Sequence, residues 1–236
     1  MSPTKTPLTR REKRRAKRIE EMLDAAMEIA LQEGLEKLTI ARLAKRIDAA
    51  VGALYRYFES KDALVAGMQR RAIGLLRGDL ETAFARATDQ LCGLSPCQAA
   101  LAGAVLIAPI YLADAREEPR RHRLIDAWVS DPTSHLADDE ARDVNASLAL
   151  ILELVTGRLQ FAVDAGALRA GDNLARAHVL WALVHGLDHF RKRDRIQPAN
   201  VQTPKLLDQA LRALLVGWGA EARAADVAVC ALTAVR

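Results

Sequence analysis

Aromatic residues and β-turn signals are scarce in this sequence. Phe, Trp and Tyr make up only 4% of its 236 residues, and no Asn-Gly or Asp-Gly pair occurs. Few runs alternate β-branched with polar residues, a pattern that half-buried strands show. Alanine and leucine, which are strong helix formers, dominate instead. These features exclude a sheet-rich fold and predict an all-α protein.

Cysteines are few as well: Cys92, Cys97 and Cys230 are the only three. So small and odd a number does not make a disulfide framework, and it indicates a reducing compartment. Cys92 and Cys97 are separated by four residues that include Gly93 and Pro96. A redox pair is therefore an alternative to two structural or incidental thiols.

Long apolar runs are missing too. The most apolar stretch, LCGLSPCQAALAGAVLIAPIYLA, is interrupted by Pro96 and Pro109, whereas a membrane-spanning helix needs about 18 apolar residues in succession. No apolar segment follows the basic N-terminus, as a signal peptide would require. We therefore expect a soluble cytoplasmic protein with no membrane partner.

The formal net charge of +4 is unevenly distributed along the chain. Residues 1–70 contain 15 Lys and Arg against 10 Asp and Glu, and the remainder contains 19 against 20. Residues 1–70 thus have a net charge of +5, and the remainder as a whole has a net charge of −1. A localised basic surplus indicates a polyanionic partner for that part of the chain.

Helical periodicity and turn residues divide the chain into predicted helices. Apolar residues recur at helical spacing from about residue 11 to residue 33, and Gly34 ends that helix. Shorter helices follow from Thr39 and from Val51, and Ser60 caps the next one. Longer helices are predicted near 96–117, 119–129, 137–165, 173–192 and 204–218, with a short one after residue 219.

Residues 39–64 contain two short helices with no room for a long loop between them. This arrangement predicts a helix-turn-helix, whose second helix enters the major groove of DNA. Thr39, Tyr55 and Lys61 provide a capping hydroxyl, a phenol and an ammonium group suited to phosphate contacts. The other candidates for DNA contact are Arg42, Ala50, Val51, Ala53 and Arg56. The basic residues at 10–18 could follow the DNA backbone or enter a minor groove, or they could form a solvated face.

Residues 17–66 resemble the DNA-binding domain of TetR-family transcriptional regulators. The resemblance lies in IEEMLDAAMEIALQEGLEKLTI, ARLAKRI and GALYRYFESKDAL; the last segment in that family commonly reads Gly-Thr-Leu-Tyr-x-Tyr-Phe, then Lys-Glu-x-Leu. It implies an N-terminal three-helix helix-turn-helix domain at 11–62, after a disordered tail at 1–10. A larger helical ligand-binding and dimerisation domain would occupy 63–236.

Four positions depart from the family pattern. Asp48 stands where a turn glycine is usual, and Ala50 replaces a capping Ser or Thr. Val51 replaces a polar or basic residue, and Ala53 replaces Thr. We expect the second helix to lack its cap, at a cost of about 1 kcal/mol. Its apolar side chains can touch thymine methyls but cannot make bidentate base contacts, so the nearby arginines are expected to contribute more of the specificity.

The C-terminal region contains candidates for an effector pocket. They combine apolar bodies with polar groups: Tyr111, Trp128, Arg158, Phe161, Trp181 and His185. The apolar segment 101–112 favours a hydrophobic effector. His178, His185 and His189 share one helix face, which leaves a metal site, a packed interface or pocket wall, and a response to pH open. No cofactor is expected.

The resemblance implies a homodimeric, sequence-specific regulator and not an enzyme. It would most often be a repressor, released from a palindromic operator by a small, largely apolar effector. The dimer is expected to form through helices near 173–192 and 204–218, which carry Leu180, Leu183, Leu187, Leu207, Leu211, Leu214 and Leu215. The alternative is a helical ligand-binding protein with weakened or non-specific DNA recognition. An all-α enzyme is disfavoured, since no nucleophile–base pair, phosphate loop or metal-ligand cluster stands out.

Overall fold

A computed structural model describes residues 9–91, 93–130 and 136–235. Over these residues the chain is all-α, which confirms the predicted fold class, and it contains eleven α-helices, four short 3-10 segments and no strand. The helices are α1 Arg10–Glu33, α2 Ile40–Arg46, α3 Val51–Leu54, α4 Lys61–Gln90, α5 Pro96–Val105, α6 Ile107–Glu117, α7 Pro119–Ser130, α8 Asp138–Asp164, α9 Asn173–Phe190, α10 Thr203–Gly217 and α11 Ala222–Ala231.

The chain forms two compact units. One, here called the N-terminal unit, comprises Met1–Ile73 with Arg123–Ala146. The other, here called the C-terminal unit, comprises Gly74–His122 with Ser147–Arg236. The boundary after residue 62 predicted from the sequence remains a prediction. The predicted tail at 1–10 lies mostly outside the described residues, and its last residue, Arg10, already begins α1.

Helix α1 starts with a capping box. The Thr9 hydroxyl accepts a hydrogen bond from the Glu12 backbone N–H at 3.3 Å, and the Thr9 N–H donates to the Glu12 carboxylate at 2.7 Å. That backbone hydrogen bond lowers the pKa of Glu12. The first side chain buried in the core is Met22, so the first three turns of α1 extend beyond the core. The helix ends at Gly34, whose φ of +96° only glycine adopts readily.

The turn between α2 and α3 contains the only non-glycine residue with positive φ in the described chain, Asp48 at +49°. The Ala49 N–H donates back to the Ala44 carbonyl at 2.9 Å and closes the turn. Helix α3 is shorter than the helix predicted from about Val51 to Tyr57. It ends at Leu54, and residues 55–57 form a turn. Its N-cap residue, Ala50, makes no side-chain hydrogen bond to the first turn of the helix, which confirms the missing cap.

In the C-terminal unit, the predicted helix over 96–117 is two helices separated at Leu106. Pro109 explains the break, because proline lacks the N–H that would bond to the carbonyl of Val105 and its ring crowds that carbonyl. Residues 100–108 are buried. Helix α5 packs on α11, and α9 packs on α6 and α10.

Two stretches are long and apolar enough to cross a membrane by composition alone, Pro96–Glu117 and Asp138–Asp164. The first of them overlaps the apolar stretch that Pro96 and Pro109 interrupt. The most apolar window of the first stretch is 67% buried within the molecule, and that of the second is 33% buried. A buried core helix passes the same test, so these two stretches are weak evidence for a membrane span.

The leucines predicted to face a dimer partner serve mainly the packing of a single chain. Five of them are at most 8% exposed within the C-terminal unit: Leu180, Leu187, Leu207, Leu211 and Leu215. They hold α9 and α10 in the core of their own unit. The leucine pattern therefore gives no support to a dimer interface.

Replacing Asp48 with glycine is expected to raise the free energy of unfolding by about 0.5–1 kcal/mol, because glycine adopts positive φ without a Cβ clash. Asp48→Ala should lower it, since alanine retains the clash and loses the local hydrogen bonding of aspartate. Urea denaturation measures both. Equal stability of the Gly and Ala variants would show that this backbone conformation does not limit stability.

Ala50→Ser is expected to stabilise the fold by about 1 kcal/mol, because a serine hydroxyl can accept from a backbone N–H of the first turn of α3. Ala53→Ser adds the same hydroxyl inside the helix and serves as the control. Thermal unfolding should show a gain for the first variant alone. A gain of the same size in both variants would contradict the capping explanation.

Candidate nucleic-acid interface

Helices α2 and α3 bury apolar residues and leave a distinct set of side chains in solvent. Leu43 and Leu54 are fully buried in the N-terminal core. Val51 is 42% exposed and Tyr55 is 51% exposed, although both are large and partly apolar. Ala50 and Arg56 are also exposed, and Ala53 is half-buried. The outer side of α3 therefore offers small and apolar groups next to one phenol and one guanidinium.

Thr39 is both a helix cap and a candidate phosphate ligand. Its hydroxyl oxygen accepts the Arg42 backbone N–H at 3.1 Å, which leaves the hydroxyl proton available to donate. Thr39 is exposed. A phosphate oxygen can accept this proton without disturbing the cap.

Lys61 begins the 30-residue helix α4. Its ammonium lies 3.5 Å from the Glu36 carbonyl oxygen, and Ser60 caps the helix by accepting the Ala63 N–H at 2.9 Å. The N-terminus of a helix carries a partial positive charge that adds to that of the ammonium. This helix end is therefore a favourable place for a phosphate.

The arginines of α2 are held by carboxylates of α1. Arg42 pairs with Glu33, and Arg46 pairs with Glu28 at 2.7 Å. The guanidinium side chains are 46% and 42% exposed, and pairs this exposed contribute little stability. A DNA contact by Arg42 thus requires an exchange of partners, and the cost of that exchange is small.

The basic residues at 10–18, here called the basic extension, form the exposed start of α1. Arg15 lies over the Tyr57 ring, 5.6 Å from its centroid, and Arg18 pairs with Glu21 at 3.1 Å. An α-helix with side chains is about 10–12 Å wide, whereas the minor groove of B-DNA is about 6 Å wide. As a helix, the basic extension suits contacts to phosphates and does not fit inside a minor groove.

The predicted effector residues do not form one site. Tyr111 and His185 are buried and share a hydrogen bond of 2.9 Å between the phenol oxygen and Nδ1. The Trp181 ring lies 6.3 Å from that of His185. Sequence reasoning missed His122, which is buried 5.0 Å from the Tyr111 ring, because a lone histidine in a basic stretch gives no signal.

The other three predicted effector residues lie elsewhere. The Arg158 guanidinium stacks over Phe84, 5.0 Å from the ring centroid, and Phe161 is 62% exposed. Trp128 belongs to α7, but its side chain lies outside the described part of the chain.

The three histidines of α9 have separate partners. Nδ1 of His178 lies 2.9 Å from the Leu174 carbonyl oxygen, and Nδ1 of His189 lies 2.9 Å from that of His185. Both of these contacts join residues that are four positions apart on α9. The alternatives for these histidines therefore remain open.

The cysteine alternatives remain open. Cys97 is exposed, and its sulfur lies 3.6 Å from the Ala165 carbonyl oxygen. Cys92 is outside the described residues, so the predicted redox pair remains a prediction.

Two cavities can be described, and both have charged walls. One of about 370 Å³ lies in the N-terminal unit near the ion pair of Arg70 and Asp143, which are 2.5 Å apart. The other, of about 470 Å³, lies in the C-terminal unit between α4 and the α6–α7 segment. None of the six predicted effector residues lines either one. The sequence signal for the second cavity was a set of polar residues at helical spacing, Asp114 and Glu117 on α6 and Glu118 just after it.

Comparison with known proteins places the N-terminal part of the chain in a family. Residues 22–68 match the family described as bacterial regulatory proteins, tetR family. An uncharacterized HTH-type transcriptional regulator of Haemophilus influenzae is 32% identical over 65 residues, which are 28% of this chain and 35% of that protein. The chain thus aligns with about a third of the length of the curated relatives it matches.

Solved structures extend the likeness over most of the chain. The regulatory protein SCO4313 has a TM-score of 0.57 at 22% identity, covering 89% of this chain and 100% of its own. FadR of Bacillus subtilis, in complex with stearoyl-CoA, has a TM-score of 0.59 at 16% identity, covering 84% and 98%. At such identities the likeness shows the fold, an N-terminal helix-turn-helix followed by a helical domain. The match to the tetR family itself lies in residues 22–68, which are 47 of the 236 residues.

Proposed function

We propose that this protein is a homodimeric, sequence-specific DNA-binding regulator of transcription, most often a repressor in this family, whose DNA affinity falls when a small molecule binds its C-terminal unit. The observation that carries the proposal is the exposed α3 beside three phosphate-binding groups, those of Thr39, Tyr55 and Lys61. They lie within residues 1–70, which contain 15 Lys and Arg against 10 Asp and Glu. The relatives over this region are HTH-type transcriptional regulators.

The proposed mode of reading DNA follows from the side chains of α3. Ala50, Val51 and Ala53 would contact thymine methyl groups, and Arg56 would supply the hydrogen bonds that they lack. Two copies related by a two-fold axis would read a palindrome, with half-site centres about 34–36 Å apart or somewhat more. The basic extension would add phosphate contacts outside the half-site.

The proposed dimer would use the outward faces of α9 and α10. Val179 on α9 is 49% exposed and Val216 on α10 is 44% exposed, and Ala182 and Ala213 are exposed on the same helices. Exposed apolar groups on helices that are otherwise well packed support a partner surface. This differs from the leucine-based argument, because those leucines are buried within one chain.

Regulation would follow from unequal affinity of the ligand for two conformations. A ligand shifts an equilibrium only by the difference in its affinity for the two states, typically about 1–3 kcal/mol of coupling. Helix α4 contains Lys61 at its start and cavity-lining residues such as Asp79 further along. We propose this helix as the element whose position the ligand changes.

The second candidate function is a helical ligand-binding protein with weakened or non-specific DNA recognition. The uncapped α3 and the pairing of Arg42 with Glu33 favour it. The experiment that separates the two is fluorescence anisotropy with DNA from upstream of the protein's own gene and with random DNA, over a salt series. Tight binding to one sequence with a steep salt slope supports the regulator; weak and equal binding to both supports the alternative.

Lys61→Ala is expected to weaken binding to operator and random DNA by the same factor. Loss of one phosphate contact should reduce the slope of log affinity against log salt by about 0.9. Lys192→Ala, which removes an exposed lysine of the C-terminal unit, is the matched control. An unchanged slope in the Lys61 variant would remove this residue from the interface.

Replacing Arg10, Arg11 and Arg14 together with glutamine tests the basic extension. Glutamine retains helix propensity, and Glu12 is left in place to keep the capping box. If all three arginines contact phosphates, the salt slope should fall by about 2.7. If the slope and the affinity stay as in the wild type, the basic extension is a solvated face.

A further inference from the structure

The cavity between α4 and the α6–α7 segment, here called the acidic cavity, has an excess of negative charge. Its charged lining residues are Asp79, Asp114, Glu117, Glu118, Arg86 and Arg121. Four carboxylates thus face two guanidinium groups. Ile110 and Ala113 supply apolar wall, and about 470 Å³ is the size of a small-molecule site.

Asp114 is the buried acid of this cavity. Its side chain is 7% exposed, and one carboxylate oxygen accepts a hydrogen bond from Arg121 Nη2. The other oxygen, Oδ2, is buried and has no hydrogen-bond partner among the described residues. Burial raises the pKa of Asp114, and the neighbouring Arg121 opposes this without cancelling it. The carboxylate is therefore short of hydrogen-bond donors among the described residues.

Arg121 is shared between two carboxylates through one nitrogen, and its Nε is buried with no hydrogen-bond partner among the described residues. Its side chain is 9% exposed, and Nη2 lies 2.7 Å from an Asp79 carboxylate oxygen while it also bonds to Asp114. One guanidinium thus serves two carboxylates at the base of the cavity. The remaining acids, Glu117 and Glu118, are exposed at its edge. A ligand that brings its own positive charge and N–H donors would meet the unfilled acceptor and the excess of acid together.

A metal ion fits these walls less well than an organic cation does. The cavity is far larger than an ion, and Arg121 places a positive charge among the carboxylates that would have to bind it. Ile110 and Ala113 offer contacts for carbon atoms, which a metal ion cannot use. An ammonium or amidinium group on a carbon skeleton matches both kinds of wall.

We propose that the acidic cavity binds a small organic cation, whose ammonium or amidinium group donates to Asp114 Oδ2 while its carbon skeleton lies against Ile110 and Ala113. The effector role of this ligand rests on the proposed function; the binding site itself does not. The proposal replaces the expectation of a largely apolar effector. The apolar segment behind that expectation, 101–112, is almost entirely buried in the core.

Calorimetric titration of the full chain with naphthamidine and with naphthamide tests the site. The two probes share a shape and differ in charge. The cation should bind about ten-fold tighter than the neutral amide, as expected for a hydrogen bond to a charged acceptor. Equal affinities, or no binding of either probe up to its solubility limit, would overturn the proposal.

Asp114→Asn assigns the binding to the buried acid. Asparagine keeps one oxygen for Arg121 and places an NH₂ group where Oδ2 was, so naphthamidine affinity should fall about ten-fold and naphthamide affinity should not change. Glu81→Gln is the matched control, because it also removes one carboxylate, in this case from α4. Glu81 pairs with Arg77 at 2.8 Å and does not line the acidic cavity. If both variants lose affinity equally, the effect is general charge and the assignment to Asp114 is wrong.

The titration contains no DNA, so its failure is distinct from a failure of operator binding. Where both succeed, naphthamidine should release operator DNA from the wild type at concentrations that leave the Asp114→Asn variant bound. Release from the wild type alone would assign the cavity to regulation. Binding without release would overturn the effector role and leave the cation site in place.

Discussion

The turn that ends α2 holds a four-residue helix that would not form in isolation, because nucleating a helical turn costs more than so few hydrogen bonds return. Three features hold α3: the positive φ of Asp48, the hydrogen bond from Ala49 to Ala44, and the fully buried side chain of Leu54. The direction of the exposed residues Val51 and Tyr55 depends on this arrangement. Any reading of DNA by α3 therefore depends on a turn in which aspartate occupies a conformation better suited to glycine.

Two carboxylates of α1 would compete with DNA for the arginines of α2. Glu33 and Glu28 hold Arg42 and Arg46 in the free protein. Because these pairs are exposed, their contribution to stability is small, and phosphates can replace them. This exchange of partners gives little sequence specificity by itself, because a phosphate contact is independent of the base sequence. In the proposed dimer, sequence preference would have to arise where α3 meets the bases and where the two copies set the half-site spacing.

The sequence predicted most helix boundaries, because the punctuating residues act locally. Gly34 ends α1, and Ser95 with Pro96 begins α5 through a capping box. The features that it did not predict depend on tertiary structure or on residues whose effect on the helices was not considered. The break at Leu106 follows from Pro109, which was noted only as an interruption of an apolar run. The candidate DNA-contact residues were predicted from a motif. The acidic cavity was not predicted, because its acids resemble solvated surface until packing buries Asp114. Two of the aromatic candidates, Tyr111 and Trp181, pack near His185 instead.

Coupling between ligand and DNA has to pass through an element that both affect, and the network of Asp79, Arg121 and Asp114 identifies which contacts would change. In the ligand-free protein Arg121 links Asp79 of α4 to Asp114 of α6. A cation at Asp114 Oδ2 would compete with Arg121 for the charge of Asp114 and leave Arg121 more fully available to Asp79. The ligand would therefore strengthen the link between Arg121 and α4 and weaken the link between Arg121 and α6. The conformation in which α4 is drawn toward Arg121 would be the one that the ligand favours. If α3 fits DNA less well in that conformation, binding of a cation and binding of DNA oppose each other, by the same factor in both directions.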